Sequence, residues 1–353
     1  MTPEKQKELN EYLQAIAKIL YEDSDPTKLD TMAGIEETVR EKTLEYITPK
    51  IGFFFIKETT KTEAGRLRTL KSIIGKLPIT EKQAIRLNLE TNQRISPFLE
   101  QCCVRASANV SYDNAARDID YYTGMKISAK TQQRLVHRYN FTDNDCSKDI
   151  EEVSVDGGKV RLRTPKKGEP CLWKDYKAIC VNKSTRKAWF SENEELINWV
   201  NEQPLSDPLN CLGDGHPGIW NIFKQFNCPG EKREILDWFH LVENFHKVGG
   251  SLKRLKKAKS LLWSGNVDET LNLISPLTKK QAENFCNYLE THRERIINYK
   301  YYQEQSICSI ASGAVESTVK QIDRRLKISG AQWKPENVPQ VLKHRCAYLN
   351  NNL

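Results

Sequence analysis

The chain has 353 residues and a formal net charge of +8, with 54 lysine and arginine residues against 46 aspartate and glutamate residues. This length is enough for two or three domains with a sizeable core. The basic balance favours a polyanionic partner, because a positive surface attracts polyanions before specific contacts form. No window approaches about 18 uncharged apolar residues, which excludes a membrane-spanning helix. A charged polar segment follows Met1, so we expect no secretory signal and a cytoplasmic location.

Ten cysteines are scattered along the sequence, and none forms a Cys-x-x-Cys pair. Structural zinc sites usually need such closely spaced ligands. Disulfides are not expected either, because the cytoplasm keeps thiols reduced. We therefore interpret the cysteines as small apolar side chains.

Residues 1–95 are predicted to form a mainly helical N-terminal region. Apolar residues recur at helical spacing from Leu9 to Leu20. The Asp-Ser-Asp-Pro turn at 23–26 ends this helix, and a second helix is predicted over residues 29–46.

Two apolar runs later in this region are interpreted as short strands. They cover residues 51–57 and 72–87. Pro78 limits the second to the edge of a sheet, because proline cannot donate a hydrogen bond to a neighbouring strand.

Three helices are predicted in residues 96–145. The second begins at Ser111, a turn with Gly124 follows, and Ser128 begins the third. This order is the outline of a helix-turn-helix, a motif that binds DNA. The third helix carries polar side chains suited to phosphates and base edges, namely Lys130, Gln132, Gln133, Arg134 and Arg138. The alternative is an ordinary helical hairpin with a solvated face.

A polar, turn-rich segment at 141–150 is interpreted as a domain boundary, after which strands dominate. Strands are predicted over residues 153–163, 173–182, 187–190, 209–212 and 234–239, and helices over 193–201 and 219–226. This order predicts a mixed α/β sheet covered by helices. The α/β domain is assigned to residues 150–240 and 311–353.

Residues 241–310 are predicted to be a helical insertion between the two parts of the α/β domain. Five basic side chains lie within seven positions of it, namely Lys253, Arg254, Lys256, Lys257 and Lys259. Such a stretch is either the solvated face of an amphipathic helix or a surface that follows DNA phosphates.

Three acidic residues are the main candidates for chemistry. Asp156 and Asp214 each precede glycine after an apolar run, and Glu316 lies early in a predicted helix. Carboxylates at strand ends and on a helix can converge on two Mg²⁺ or Mn²⁺ ions, the centre that proteins use to cut phosphodiesters. Like charges at such a site repel, so bound metal should stabilise the fold. The alternative is that each Asp-Gly only forms a turn, and that Glu316 only interacts favourably with the dipole of its helix.

Other residues are candidates for supporting roles. Basic residues recur on the predicted Glu316 helix at Lys320, Arg324 and Lys327, where they either hold DNA phosphates or form ion pairs along the helix. Asp237 and His240, interpreted as the end of the fifth strand, could contact the scissile phosphate or orient a ligand, or His240 could be structural. If Glu316 lies far from the two aspartates, Glu243 is the alternative third metal ligand.

Four segments together resemble bacterial insertion-sequence transposases of the DDE class, in the Kra-type group. The segments are Leu-Gly-Asp-Gly-x-Pro-x-Ile-Trp-Asn at 212–221, Leu-Asp-Trp-Phe-His at 236–240, Gly-Ala-Val-Glu-Ser at 313–317 and Gly-Ala-Gln-Trp at 330–333. The resemblance covers roughly residues 150–350 well, and the N-terminal part mainly in its helix-turn-helix stretch. Some relatives carry a Cys-rich zinc-binding segment before the helix-turn-helix, whereas residues 50–100 here lack cysteine.

The resemblance implies a ribonuclease H-like catalytic domain in which Asp156, Asp214 and Glu316 bind two Mg²⁺ or Mn²⁺ ions and Asp237 and His240 are accessory. It implies strand cleavage by water, followed by attack of the freed 3′-hydroxyl on target DNA. The partners would be double-stranded DNA at the transposon ends and the target, held by a homo-oligomer in the nucleoid of a bacterial cytoplasm. Two alternatives are a ribonuclease H-like nuclease without strand transfer and a catalytically silent DNA-binding protein derived from a transposase.

Overall fold

The computed structural model describes residues 1–141, 146, 148–164, 166 and 168–353. The chain divides into two compact units, each formed by two stretches of sequence. The first contains Met1–Ser107 and Tyr112–Leu135, and the second contains Ala108–Ser111 and Val136–Leu353. The boundary predicted at 141–150 includes residues 142–145 and 147, which lie outside the described residues.

The first unit consists of helices and one β-hairpin. Its first three helices are α1 (Pro3–Glu22), α2 (Met32–Lys42) and α3 (Thr48–Thr60), and the hairpin pairs β1 (Leu67–Ser72) with β2 (Gly75–Thr80). The short α4 (Glu81–Arg86) follows, and then come α5 (Pro97–Ser107), α6 (Tyr112–Thr123) and α7 (Ala129–Arg138), whose last residues belong to the second unit. Helices α5 to α7 lie where three helices were predicted.

The strand prediction for residues 51–57 is wrong, because this run lies inside helix α3. Its aromatic residues favour strands in isolation. Pro49 in the first helical turn is compatible with a helix, since the missing N–H there needs no partner. Gly52 and Ile56 then lie one turn apart and pack against the hairpin residue Leu77 and its neighbours.

The strand predicted over 72–87 is correct only in part. Residues 75–80 form β2, but α4 begins at Glu81. Thr80 Oγ1 accepts a hydrogen bond from the Gln83 amide, and Gln83 Oε1 accepts one from the Thr80 amide. This reciprocal capping box ends the strand and starts the helix.

The second unit contains the predicted mixed α/β sheet, which has five strands. They are β3 (Ile150–Leu162), β4 (Leu172–Val181), β5 (Thr185–Phe190), β6 (Leu205–Gly213) and β7 (Lys232–Leu236). Their order across the sheet is β5-β4-β3-β6-β7. The pairs β3–β4 and β4–β5 are antiparallel, whereas β3–β6 and β6–β7 are parallel.

Nine helices of this unit are described in addition to the end of α7. In chain order they are α8 (Asn193–Asn201), α9 (Pro217–Phe223), α10 (Trp238–His246), α11 (Leu252–Trp263), α12 (Val267–Ile274), α13 (Lys280–Thr291), α14 (Tyr299–Glu304), α15 (Gly313–Leu326) and α16 (Val338–Leu349). Most of residues 241–310 thus lie in helices, as predicted. Their apolar side chains share one core with Val153 and Val155 of β3 and with helices α8 and α9.

The opposite face of the sheet has its own core. Val160 and Leu162 of β3 and Tyr176 and Ala178 of β4 pack there against α15 and α16. Alternate residues of a strand point to opposite faces, so Asp156, with the same parity as Val160, points toward the α15 face.

The prediction that residues 237–239 end the fifth strand is wrong. Strand β7 ends at Leu236, and α10 begins at Trp238. The Asp237 carboxylate accepts a hydrogen bond from the His240 amide at 2.8 Å and is therefore the N-cap of α10.

Among the residues that the structure describes, no helix combines the length and apolarity needed to cross a membrane.

Candidate metal centre

Three aspartates lie in one row across the adjacent parallel strands β3, β6 and β7, at the level where β6 and β7 end. Ser154 of β3 pairs in register with Leu212 of β6, so Asp156 and Asp214 each follow two residues beyond this pair. Gly213 of β6 pairs with Leu236 of β7, and Asp214 and Asp237 each follow directly. Neighbouring strands are about 4.8 Å apart, and Asp214 lies at the end of the strand between those that precede or carry the other two aspartates. Among the described residues, no set of three metal ligands within 4.8 Å of one another includes Asp156 or Asp214.

The sequence suggested that Asp156 lies at a strand end. It lies instead in the middle of β3. Strand β3 continues to Leu162 and stays paired with β4, and Asp156 itself is opposite Ala178. Only the parallel pairing with β6 stops before Asp156. Asp156 is therefore paired with β4 on one side and has no paired residue of β6 on the other.

The two glycines around Asp214 shape the turn that follows β6. A Cβ on Gly213 would lie 2.9 Å from the Trp220 ring, so glycine lets α9 pack closely against the strand. Gly215 has a positive φ of 97°, a conformation that side chains with a Cβ rarely adopt. Asp214 Oδ1 accepts a hydrogen bond from the His216 amide at 2.8 Å, which holds the carboxylate at the start of α9.

Glu316 reaches this edge from the first turn of α15, as its sequence position predicted. Its Oε1 lies 3.7 Å from His240 Nδ1 and its Oε2 lies 3.6 Å from Lys320 Nζ. Glu316 and Asp214 are near enough to Asp156 to affect its ionisation. Burial raises the pKa of Asp156 above its ordinary value, and the negative charges of Asp214 and Glu316 raise it further, against opposing effects of the Gly157 amide and His240.

Asp237 is fully buried and connects three elements. It follows β7, caps α10, and accepts two hydrogen bonds on Oδ2 from Ser312, one from the backbone amide and one from Oγ at 2.7 Å. Burial alone would raise the pKa of Asp237, but the hydrogen bonds from His240 and Ser312 outweigh it and lower the pKa below its ordinary value. The carboxylate therefore stays charged without contact with water.

His240 lies between Asp237 and Glu316. Its Nδ1 is 3.4 Å from Asp237 Oδ1, and the interaction with Asp237 raises the pKa of His240 to about 9, against an opposing effect of burial. The imidazole is thus positively charged at neutral pH when no metal ion is bound. It offsets part of the negative charge of the surrounding carboxylates.

Asp237, His240 and Glu316 each offer one ligand atom, all within 4.8 Å of one another, so this cluster could hold a metal ion. Both Asp237 oxygens already accept hydrogen bonds from protein groups, which suits an orienting role better than ligation. Asp156 uses Oδ1 to accept from Gly157, and Asp214 uses Oδ1 to accept from His216. Among the described residues, the Oδ2 atoms of both have no hydrogen-bond partner.

Ser312 is the residue of this site that the sequence did not indicate. Its Oγ donates to Asp237 and lies 3.4 Å from Glu316 Oε1. The only signal was its position just before the predicted helix, which is also typical of an ordinary N-cap. Its contact with Asp237, 75 positions away in the sequence, is decided by the packing of α15 on the sheet.

The basic candidates on α15 and α11 are mostly exposed. Lys320, Arg324 and Lys327 are exposed, Lys320 pairs with Glu316, and Lys327 lies 2.6 Å from Asp323. On α11, Arg254 is half-buried, whereas the lysines are exposed, namely Lys253, Lys256, Lys257 and Lys259. Glu243 is exposed and pairs with Lys247 at 3.6 Å.

The candidates on α7 divide between surface and core. Lys130, Arg134 and Arg138 are exposed and Gln133 is half-buried, whereas Gln132 is fully buried. The expectation that Gln132 contacts DNA is therefore wrong. Its position in the helix turns it toward the core, beside the thiol of Cys103.

No protein-family model matches the chain, and no curated protein matches it.

Proposed function

We propose that this chain is a DNA transposase of the DDE class that performs metal-dependent strand cleavage and strand transfer for an insertion sequence. The observation that carries the proposal is the position of Asp156 and Asp214 beside each other on the adjacent inner strands β3 and β6. Glu316 is near enough to raise the pKa of Asp156. A carboxyl group whose pKa is raised by burial and by neighbouring carboxylates, as that of Asp156 is, is typical of functional sites.

The sheet supports the ribonuclease H-like fold that the sequence resemblance implies. Three consecutive antiparallel strands are followed by two strands parallel to the first, on its other side. In open sheets of this kind, sites form outside the carboxyl ends of the strands where the strand order reverses. Asp214 lies at that place, and Asp156 lies beside it on β3.

The donor set fits Mg²⁺ or Mn²⁺. The carboxylates of Asp156, Asp214 and Glu316 are hard oxygen ligands, which both ions accept, and the two aspartates each keep one oxygen without a hydrogen bond among the described residues. Two bound ions would activate an oxygen nucleophile and stabilise the leaving oxygen. Asp156, Asp214 and Glu316 would together hold the ions.

The remaining residues of the site orient groups and carry charge. Asp237 and Ser312 hold the start of α15 and thereby position Glu316. His240 would bind a non-bridging oxygen of the scissile phosphate. Lys320, Arg324 and Lys327 continue along α15 and would bind phosphates next to the site. Because two DNA ends must be joined, the active form would contain at least two copies of the chain, acting in the bacterial nucleoid.

The test compares the variants Asp156→Asn and Asp175→Asn in cleavage of duplex DNA with Mg²⁺. Asp175 is the matched control, because it is exposed and lies on the neighbouring strand β4. We expect D156N to lose more than roughly 100-fold in cleavage rate, since even changes behind metal ligands cost 10–100-fold. D175N should keep its activity, and both variants should bind DNA.

Other outcomes would select another function. Cleavage without joining of the 3′-hydroxyl to target DNA would indicate a nuclease. DNA binding without cleavage by the unmodified chain, with either ion, would indicate a silent DNA-binding protein. Equal activity of D156N and the unmodified chain would overturn the catalytic site.

A further inference from the structure

The first unit contains a basic groove that the candidate metal centre does not involve. It has a volume of about 1130 Å³ and is formed by the β-hairpin, the segment around residue 94 and the turn between α6 and α7. Six basic side chains line it, namely Lys71, Lys76, Arg94, Arg117, Lys126 and Arg134, together with Asp113 and Asp120. We refer to these residues as the hairpin groove.

Four of the basic residues have no acidic partner among the described residues. Lys76, Arg94, Lys126 and Arg134 are exposed and form no ion pair there, whereas Arg117 pairs with Asp113 at 2.6 Å. Exposed lysines and arginines usually find solvent or an ion pair. Four unpaired positive charges that share one concave surface produce a local positive potential, and a concave surface concentrates it.

Hydrogen bonds connect the elements that form the groove. The Lys71 amide donates to Arg94 O at 2.8 Å, and the Ser96 amide donates to Lys71 O at 2.8 Å. Lys71 Nζ donates to Lys126 O at 2.7 Å, which connects β1 to the turn before α7. Hairpin and helix therefore present their charges in a fixed arrangement and not as independent side chains on mobile segments.

We propose that the hairpin groove binds the phosphate backbone of double-stranded DNA, so that the hairpin and α7 contact DNA together. The occupant is a polyanion, because six basic side chains line the groove against two acidic ones, and four of the six have no acidic partner among the described residues. A duplex fits better than a small anion, because the charges are spread over separate elements, namely β2, the segment around residue 94, and α7 with the turn before it. The exposed Lys130 lies one helical turn before Arg134 on α7 and extends the charged surface beyond the groove. Such contacts position a protein on DNA without reading sequence.

This inference extends the proposed function, on which it rests for the identity of the polyanion, by assigning a role to the hairpin. Its test measures binding of the full chain to a fluorescent DNA duplex of arbitrary sequence over a range of salt concentrations, without divalent metal. The groove variant is K76Q/R94Q. The control is K50Q/K82Q, which removes the same charge from exposed residues of the first unit outside the groove.

We expect K76Q/R94Q to weaken binding at least roughly tenfold at about 0.1 M salt, and to reduce the slope of log K against log[salt] by about 2, because each lost phosphate contact removes about 0.9. K50Q/K82Q should change both quantities much less. K76R/R94K, which keeps the charges, should bind like the unmodified chain. This variant separates loss of charge from loss of folding.

Equal behaviour of K76Q/R94Q and K50Q/K82Q would overturn the proposal, and so would absence of duplex binding by the unmodified chain. Tighter, groove-dependent binding of single-stranded RNA would overturn the assignment to double-stranded DNA. Because no divalent metal is present, failure of this inference leaves the cleavage result untouched. Conversely, groove-dependent binding by a chain that never cleaves DNA would contradict only the proposed catalytic function.

Discussion

At the scale of single residues, the buried carboxylate of Asp237 holds together the elements that form the candidate site. A buried charge is tolerated only where hydrogen bonds replace the lost water. Asp237 obtains them from the His240 amide and from the amide and hydroxyl of Ser312. The same bonds determine where α10 and α15 begin next to each other, so the charge that is costly to bury also orients Glu316.

Removing the Ser312 hydroxyl should destabilise the protein. We expect Ser312→Ala to lower the free energy of unfolding by about 1.5–3 kcal/mol, since hydrogen bonds to charged groups contribute this much. Urea unfolding measures it. The control is Ser317→Ala on the same helix, where Oγ accepts an exposed hydrogen bond from Gln321 and the change should stay within about 0.5 kcal/mol. Equal effects of the two substitutions would contradict the role given to Ser312.

His292 should make stability depend on pH. It is buried beside Tyr288 and Trp220, and burial, with a smaller contribution from Arg295, lowers its pKa below the ordinary value of 6.5. Below that value the unfolded chain binds a proton that the folded chain resists, so stability is lost as pH falls through the range below 6.5.

The measurement is the change in free energy of unfolding between about pH 7.5 and about pH 5.5. His292→Phe keeps an aromatic ring and should lose less stability over this range than the unmodified protein. Replacing the exposed His246 by Gln serves as the control and should leave the pH dependence nearly unchanged. If His292→Phe shows the full pH dependence, His292 is not its source.

At the scale of elements, Gly158 makes the contact between the sheet and α15 possible. A Cβ at this position would overlap the Tyr176 ring, which is fully buried and donates a hydrogen bond to Asp323 Oδ1 of α15 at 2.9 Å. The group that approaches Gly158 is an aromatic side chain of the neighbouring strand.

Gly158→Ala should therefore be destabilising although strands usually favour alanine over glycine. We expect a loss of about 1–3 kcal/mol in the free energy of unfolding, which is typical of overpacking in a core. Gly313→Ala is the control, because nothing lies within 4 Å of a Cβ built there. A neutral Gly158→Ala would mean that Tyr176 can move without cost.

The far end of α15 is held by a second device. Trp333 Nε1 donates to Leu326 O at 2.8 Å, while its backbone exchanges hydrogen bonds with Arg161 and Arg163 at the end of β3. Helix α15 thus carries Glu316 at its start and is connected at its end to β3, the strand that carries Asp156. In the segment 330–333, which is part of the sequence resemblance, Trp333 therefore has a structural role.

At the scale of the whole molecule, the unfavourable repulsion among Asp156, Asp214 and Glu316 should be relieved by metal. Ligands that bind only the folded state stabilise it, by about 2.7 kcal/mol at 100 times Kd. We expect the melting temperature to rise with Mg²⁺ or Mn²⁺ and to return on addition of a chelator. Asp156→Asn should lose this response, and Glu243→Gln should keep it. A flat melt across the titration would count against the metal site.

Local patterns determined much of the second unit, including its mixed α/β class. The helix predicted over residues 193–201 matches α8 at both ends, because apolar periodicity is a property of consecutive residues. The strands carrying Asp156 and Asp214 were also evident, since buried strands are marked by apolar runs. These features require no knowledge of distant parts of the chain.

Only the tertiary structure decided what depends on partners far away in sequence. It turned residues 51–57 into a helix against the hairpin, placed Gln132 in the core, and made Asp237 a buried cap bound to Ser312. It also aligned Asp156 with Asp214 through the register of β3 and β6. The physical reason is that burial and strand register are set by packing between elements, whereas sequence periodicity reports only which face of one element is apolar.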